Sequence, residues 1–166
     1  MATRYPHQCA LIIIADGFDE SETVTILSAL REAGIYTKSV GLTSGLIHGA
    51  HGIWLMPDCT LADVYETINM NKVCLVVLPG GEQTLARLEP DPRLHRILRR
   101  ALENAGTIAT SAQGARVLRI ALGQNADTRD VMEHQIMLRN GLEQSVDRFA
   151  GELVRRLERA PAFSYA

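Results

Sequence analysis

The sequence predicts an α/β fold, a three-layer α/β/α sandwich around a mainly parallel sheet. Two runs, residues 9–15 and 73–78, are continuously apolar and β-branched, the pattern of strands covered on both faces. Stretches of helical apolar spacing lie between and after them, and this alternation of strand and helix is how crossover helices join parallel strands. A third run enters through Gly106 and passes into Ser111-Ala112-Gln113-Gly114, which reads as a tight strand-to-helix elbow.

Taken in order, residues 9–15 form a central strand and Asp16-Gly17 its turn. Asp19 or Ser21 then caps a helix whose apolar positions Val24, Ile26, Leu27 and Leu30 recur until Gly34. Residues 35–42 are a second strand, 43–51 a hairpin or loop, and 53–56 a short strand stopped by Pro57-Asp58. Residues 61–68 are expected as a short helix, and the strand at 73–78 ends in Pro79-Gly80-Gly81, where backbone amides can meet a ligand. An amphipathic helix spans 91–105, its arginines Arg93, Arg96, Arg99 and Arg100 read as a solvated face rather than a phosphate grip. After the elbow, residues 124–133 are read as polar loop, 134–138 as a last strand, Asn140-Gly141 as a turn and 142–157 as a closing helix.

At 166 residues and 46% hydrophobic content the chain is expected to form one domain over residues 1–166. A net charge of -2 without like-charge runs leaves no footprint for nucleic acid or an anionic membrane. The apolar runs are too short to span a bilayer and no secretory layout is read at the start, so a cytoplasmic protein is expected. Cys9, Cys59 and Cys74, three in number and widely spaced, read as reduced core thiols rather than a disulfide or metal set.

Sites in open parallel sheets lie at the carboxyl ends of strands, where the turns at 16–22, 79–82 and 111–114 meet. Glu22, in the first helical turn, can exchange a proton or hold a ligand there, or simply answer the helix dipole. Asp16, Asp19 and Glu20 crowd the same turn, which is expected to raise at least one proton affinity where they are not all solvated. Gly80, Gly81 and the amide of Gln113 offer donors to an oxyanion. Ser111 is the hydroxyl nearest the corner, and as a nucleophile it has only His134 as a candidate base. Ala112, at the corner itself, has nothing to attack with. His48, His51 and the Glu133-His134 pair lack a third ligand at a recognisable spacing, so no metal and no cofactor are expected.

Residues 10–24, Arg31-Glu-Ala-Gly-Ile35, Met56-Pro-Asp-Cys-Thr-Leu61, Val76-Val-Leu-Pro-Gly-Gly81 and the elbow together resemble the ThiJ/PfpI family. The resemblance implies a flavodoxin-like, class I glutamine amidotransferase-like fold and a homodimer. It makes Glu22 the site glutamate and Gly80 and Gly81 the oxyanion glycines. The family's cysteine-any residue-glycine pattern falls on Ala112-Gln113-Gly114, so the reactive cysteine is replaced by alanine. The segment between elbow helix and closing helix is short for the family, and its histidine has no clear counterpart.

These departures argue against protease, deglycase, glyoxalase or amidotransferase activity through a thiolate. Three functions remain open: a protein binding a small polar or anionic metabolite at the elbow; a non-covalent hydratase, isomerase or lyase on a carbonyl compound with Glu22 as acid/base; or a structural or regulatory dimer with a vestigial site.

Overall fold

A computed structural model describes residues 5–123 and 134–159. Six strands form one parallel sheet: β1 (Tyr5–Ile14), β2 (Ile35–Gly41), β5 (Cys59–Thr60), β6 (Val73–Leu78), β7 (Thr107–Ser111) and β8 (Ile136–Arg139), in the order β5-β2-β1-β6-β7-β8. The continuous apolar runs are β1 and β6, and they sit side by side at the centre, where both faces are covered.

Strand alternation divides the core into two layers. Helices α1 (Glu20–Glu32) and α6 (Val146–Arg159) bring Ile26, Leu30, Phe149 and Leu153 onto Ile12, Ile14, Leu75 and Val77. On the other face, α2 (Val64–Thr67), α3 (Glu82–Leu88), α4 (Pro92–Glu103) and α5 (Ala115–Leu122) cover Leu11, Ile13, Val76 and Leu78.

Several local expectations are corrected. The two-residue strand β5 lies where the sequence shows a Pro-Asp turn, because Asp58 draws it alongside β2 by accepting from the backbone N–H (2.7 Å) and hydroxyl (2.8 Å) of Ser39. Arg31 Nη2 joins the same carboxylate at 2.9 Å. Of the two alternatives for 43–51 the hairpin is the one formed: β3 (Ile47–His48) pairs with β4 (Trp54–Leu55), inside the short strand expected at 53–56, apart from the main sheet. Helix α3 has no sequence forecast, since its seven residues are too few to display a periodic stripe. Helix α2 covers only four of the eight residues expected helical.

The closing helix starts at Val146 rather than Leu142, which is 98% exposed and contributes nothing to the core. The Asn140 carbonyl instead accepts from the amides of Glu143 and Gln144 in a turn. The polar loop expected at 124–133 lies outside the described residues.

The arginines of α4 serve structure. Arg93 pairs with the capping Asp91 at 2.7 Å, Arg99 donates to the Ala121 carbonyl, Arg100 reaches Glu103 and Asn71, and Arg96 lies over the Tyr65 ring.

Candidate functional site at the strand-to-helix elbow

At the carboxyl edge of the sheet β7 runs into a single 3₁₀ turn, Ala112–Gly114, and then α5. Gly114 is required there, because a Cβ would overlap the Thr110 hydroxyl, itself donated to the Leu78 carbonyl at 2.9 Å. Among the described non-glycine residues only Ala105 has a positive φ, so the backbone at Ala112 is relaxed. A nucleophile elbow holds its corner residue in a strained turn, and this one does not.

Glu22 occupies the third position of α1, placed by Asp19, whose Oδ1 caps the helix by accepting from the Glu22 amide at 2.8 Å. Its side chain is fully buried. Glu22 Oε2 accepts from the Gly80 amide at 3.1 Å and from Arg139 Nη2 at 3.2 Å. A Cβ on residue 80 would stand 2.8 Å from that oxygen, so glycine lets the strand end close on the carboxylate. The Asp19 amide donates to the Gly80 carbonyl at 2.9 Å, tying the same two turns together.

Gly80 therefore spends its N–H on Glu22 rather than presenting it to an oxyanion. Gly81, at φ 120°, turns the chain into α3, in a conformation and a space that admit only glycine. Ser111 is buried on the face of β7 shared with α1 and α6, and it pairs in register with Arg139 of β8. Ala112 and Gln113 are exposed above them. Three buried polar atoms here lack a hydrogen-bond partner among the described residues: Glu22 Oε1, Ser111 Oγ and Arg139 Nε.

Arg139 is the residue that sequence reading misses. Its signal was slight: an arginine closing a short strand just before Asn140-Gly141, and so at the sheet edge where sites lie. Asp16 is exposed and directed elsewhere, its Oδ1 accepting from the His48 amide of the hairpin at 2.9 Å. His134 precedes β8 at the opposite edge of the sheet, five residues before the position paired with Ser111, or about 16 Å at strand rise. The Ser111–His134 dyad is thereby excluded.

Of the carboxylates crowded in that turn, Glu20 shows no rise in proton affinity. Burial works to raise the Glu20 pKa, but hydrogen bonds from the His51 ring and from backbone amides outweigh it and hold the carboxylate at about 2. Burial, in contrast, pushes the Cys9 and Cys74 thiols up to about 12, and the thiol of Cys59 is raised as well. None of the three lies at the elbow: they belong to β1, β6 and β5.

A parallel α/β sandwich with a glutamate, a strand-end glycine pair and a strand-to-helix turn gathered at one sheet edge defines a class of elbow-site proteins. Residues 8–154 match the model of the DJ-1/PfpI family, and the chain belongs to that family. Over 132 residues it is 28% identical to the Parkinson disease protein 7 homolog of Danio rerio and 29% identical to protein dj-1beta of Drosophila melanogaster, in each case across 77% of this chain and 68% of the relative. Among solved structures, oxidized Toxoplasma gondii DJ-1 superposes with a TM-score of 0.74 at 20% identity, covering 90% of each chain. A ThiJ/PfpI domain protein from Brachyspira murdochii gives 0.72 at 20% identity, over 92% of this chain and 96% of its own.

Proposed function

We propose that this DJ-1/PfpI-family chain works without a cysteine nucleophile and binds a small polar or anionic metabolite at the elbow. The observation that carries this reading is the set of unpartnered buried atoms on Glu22, Ser111 and Arg139. Each such atom costs about 1–3 kcal/mol, which a bound polar group recovers by completing the hydrogen bonds. Glu22 Oε1 accepts and Arg139 Nε donates, so the complementary ligand carries both a hydroxyl and an oxo or carboxylate oxygen. Ser111 and the Gln113 amide complete its recognition, and the exposed turn at Ala112 is the side of entry. Gly80 and Gly81 shape this pocket, Gly80 by closing on Glu22 and Gly81 by turning the chain. Asp16 contributes from outside it by fixing the hairpin.

Titration with short 2-hydroxy and 2-oxo carboxylates, followed by backbone NMR, tests the proposal. Shifts at Ser111, Ala112 and Gln113 that saturate, and an affinity weakened about tenfold by Glu22→Gln, are expected. Absence of saturable shifts at the elbow refutes it. Non-covalent acid/base chemistry is the second reading, favoured by the one Glu22 oxygen left without a partner. Under that reading Glu22→Gln abolishes turnover of a carbonyl substrate and leaves its binding largely intact.

Three free thiols suit a cytoplasmic setting, and no helix among the described residues is long and apolar enough to cross a membrane. A homodimer completes the proposal. Val24 of α1 and Leu46, Ile53, Trp54 and Met56 of the hairpin region are 45–62% exposed, an apolar surface of the kind that marks a protein contact.

A further inference from the structure

The end of the sheet opposite the elbow holds a cavity of about 500 Å³, bordered by the first residues of β6, β7 and β8 and by the last two turns of α6. Its floor is apolar, made by Cys74, Met137 and Leu157. Its rim is cationic. Arg155, Arg156 and Arg159 recur at helical spacing on one face of α6, and that face borders the cavity.

Their engagement differs in a way that matters. Arg156 is fixed, donating through Nε to the Thr107 hydroxyl at 2.8 Å and through Nη2 to the His134 carbonyl. Arg155 and Arg159 have no carboxylate partner among the described residues. The cavity's own carboxylate, Glu152, is already held by Arg148 at 3.3 Å and by the Gln144 amide group at 2.6 Å. Favourable charge at a helix C-terminus accounts for basic residues in this turn, but not for their placement over a concave apolar floor.

We propose that this cavity is a second binding site, for a small organic anion that carries a phosphate or carboxylate on a compact apolar body. The guanidinium groups of Arg155 and Arg159 take the anion, since a planar fork of donors matches its oxygens. The apolar body lies on Met137 and Leu157, and Arg156 and Thr107 form the wall. The volume falls in the range of small-molecule sites. The proposal is independent of the elbow, which lies at the other edge of the sheet.

Calorimetric titration of the full chain with phenyl phosphate and with inorganic phosphate, at about 0.15 M salt, tests it. Phenyl phosphate is expected to saturate one site, about tenfold more tightly than inorganic phosphate because only its ring covers the floor. The exposed double variant Arg155→Ala/Arg159→Ala should lose about tenfold or more in affinity, while Arg119→Ala on α5 should lose none. Backbone NMR should place the shifts at Thr107 and Met137. No saturation, equal affinity for the two probes, an equal loss in Arg119→Ala, or shifts confined to Ala112 and Gln113 would each overturn the assignment.

Discussion

Ala105 follows the C-cap of α4 with φ 56°, in the left-handed region that an L side chain enters at a cost of about 1–2 kcal/mol. The turn demands it, because the amide of Gly106 reaches back to the Ala101 carbonyl (2.9 Å) and that of Ala105 to the Leu102 carbonyl (2.9 Å). Ala105→Gly is therefore expected to stabilise the protein by about 0.5–1 kcal/mol, the strain relief being partly offset by unfolded-state entropy; urea denaturation measures it. The Glu22–Arg139 pair responds in the opposite sense. Removing one member of a buried pair costs about 3–5 kcal/mol, because the other is left charged and unmatched. Arg139 keeps some solvent at 15% exposure, so Arg139→Met should cost about 3 kcal/mol. Glu22→Met/Arg139→Met should recover about half of that, with the Gly80 amide still lacking its acceptor. Additive losses in the double variant would show that the two residues act separately.

At the level of elements, the hairpin of β3 and β4 is fastened to α1 by Glu20. The carboxylate accepts from the His51 and Ile53 amides and from His51 Nδ1 at 2.8 Å. The hydrogen bond and charge of Glu20 raise the His51 pKa above 6.5. Stability from the raised histidine is complete below 6.5 and is lost as pH climbs through its folded value. Stability from the depressed glutamate is complete above 4.5 and is lost as pH falls toward about 2. The fastening is thus strongest between those two ordinary values. An NMR titration of His51 should give a midpoint above 6.5, and Glu20→Gln should return it to the ordinary histidine range. An unchanged midpoint in the variant would mean that Glu20 does not set it. This tether was invisible in the sequence, where His51 and Glu20 sit 31 positions apart and neither periodicity nor capping links them. By contrast β1, β6, α1 and α4 were readable, since continuous apolar runs and helical stripes report burial directly. Strand β5 depends on Asp58 meeting Ser39 and Arg31 across the sheet edge, and Arg139 enters the site only through the pairing of β8 with β7. Glu22, Gly80 and the elbow were legible as local turn chemistry; what each one touches was not.

For the molecule as a whole, the elbow, the hairpin and α1 meet on one side of the sheet, and the proposed dimer contact is an extension of that side. Trp54 is 58% and Met56 62% exposed, and Trp54 lies against the His48 ring with centroids 4.2 Å apart. An exposed aromatic gives large contact area for few rotatable bonds, which is the character of an interface anchor. Asp16 and Glu20 fix the hairpin from beneath by accepting from its amides. Glu20 and Glu22, two residues apart on α1, thus face the hairpin and the elbow respectively. Sedimentation velocity should show a dimer for the unaltered chain and a monomer for Ile53→Lys/Met56→Glu, both positions being surface-exposed and replaceable without disturbing the core. Unfolding midpoints of that variant should become independent of protein concentration, whereas a dimer's rise with it. A monomer at all concentrations in the unaltered chain would overturn the homodimer, and a dimer that survives the double substitution would move its contact to another face.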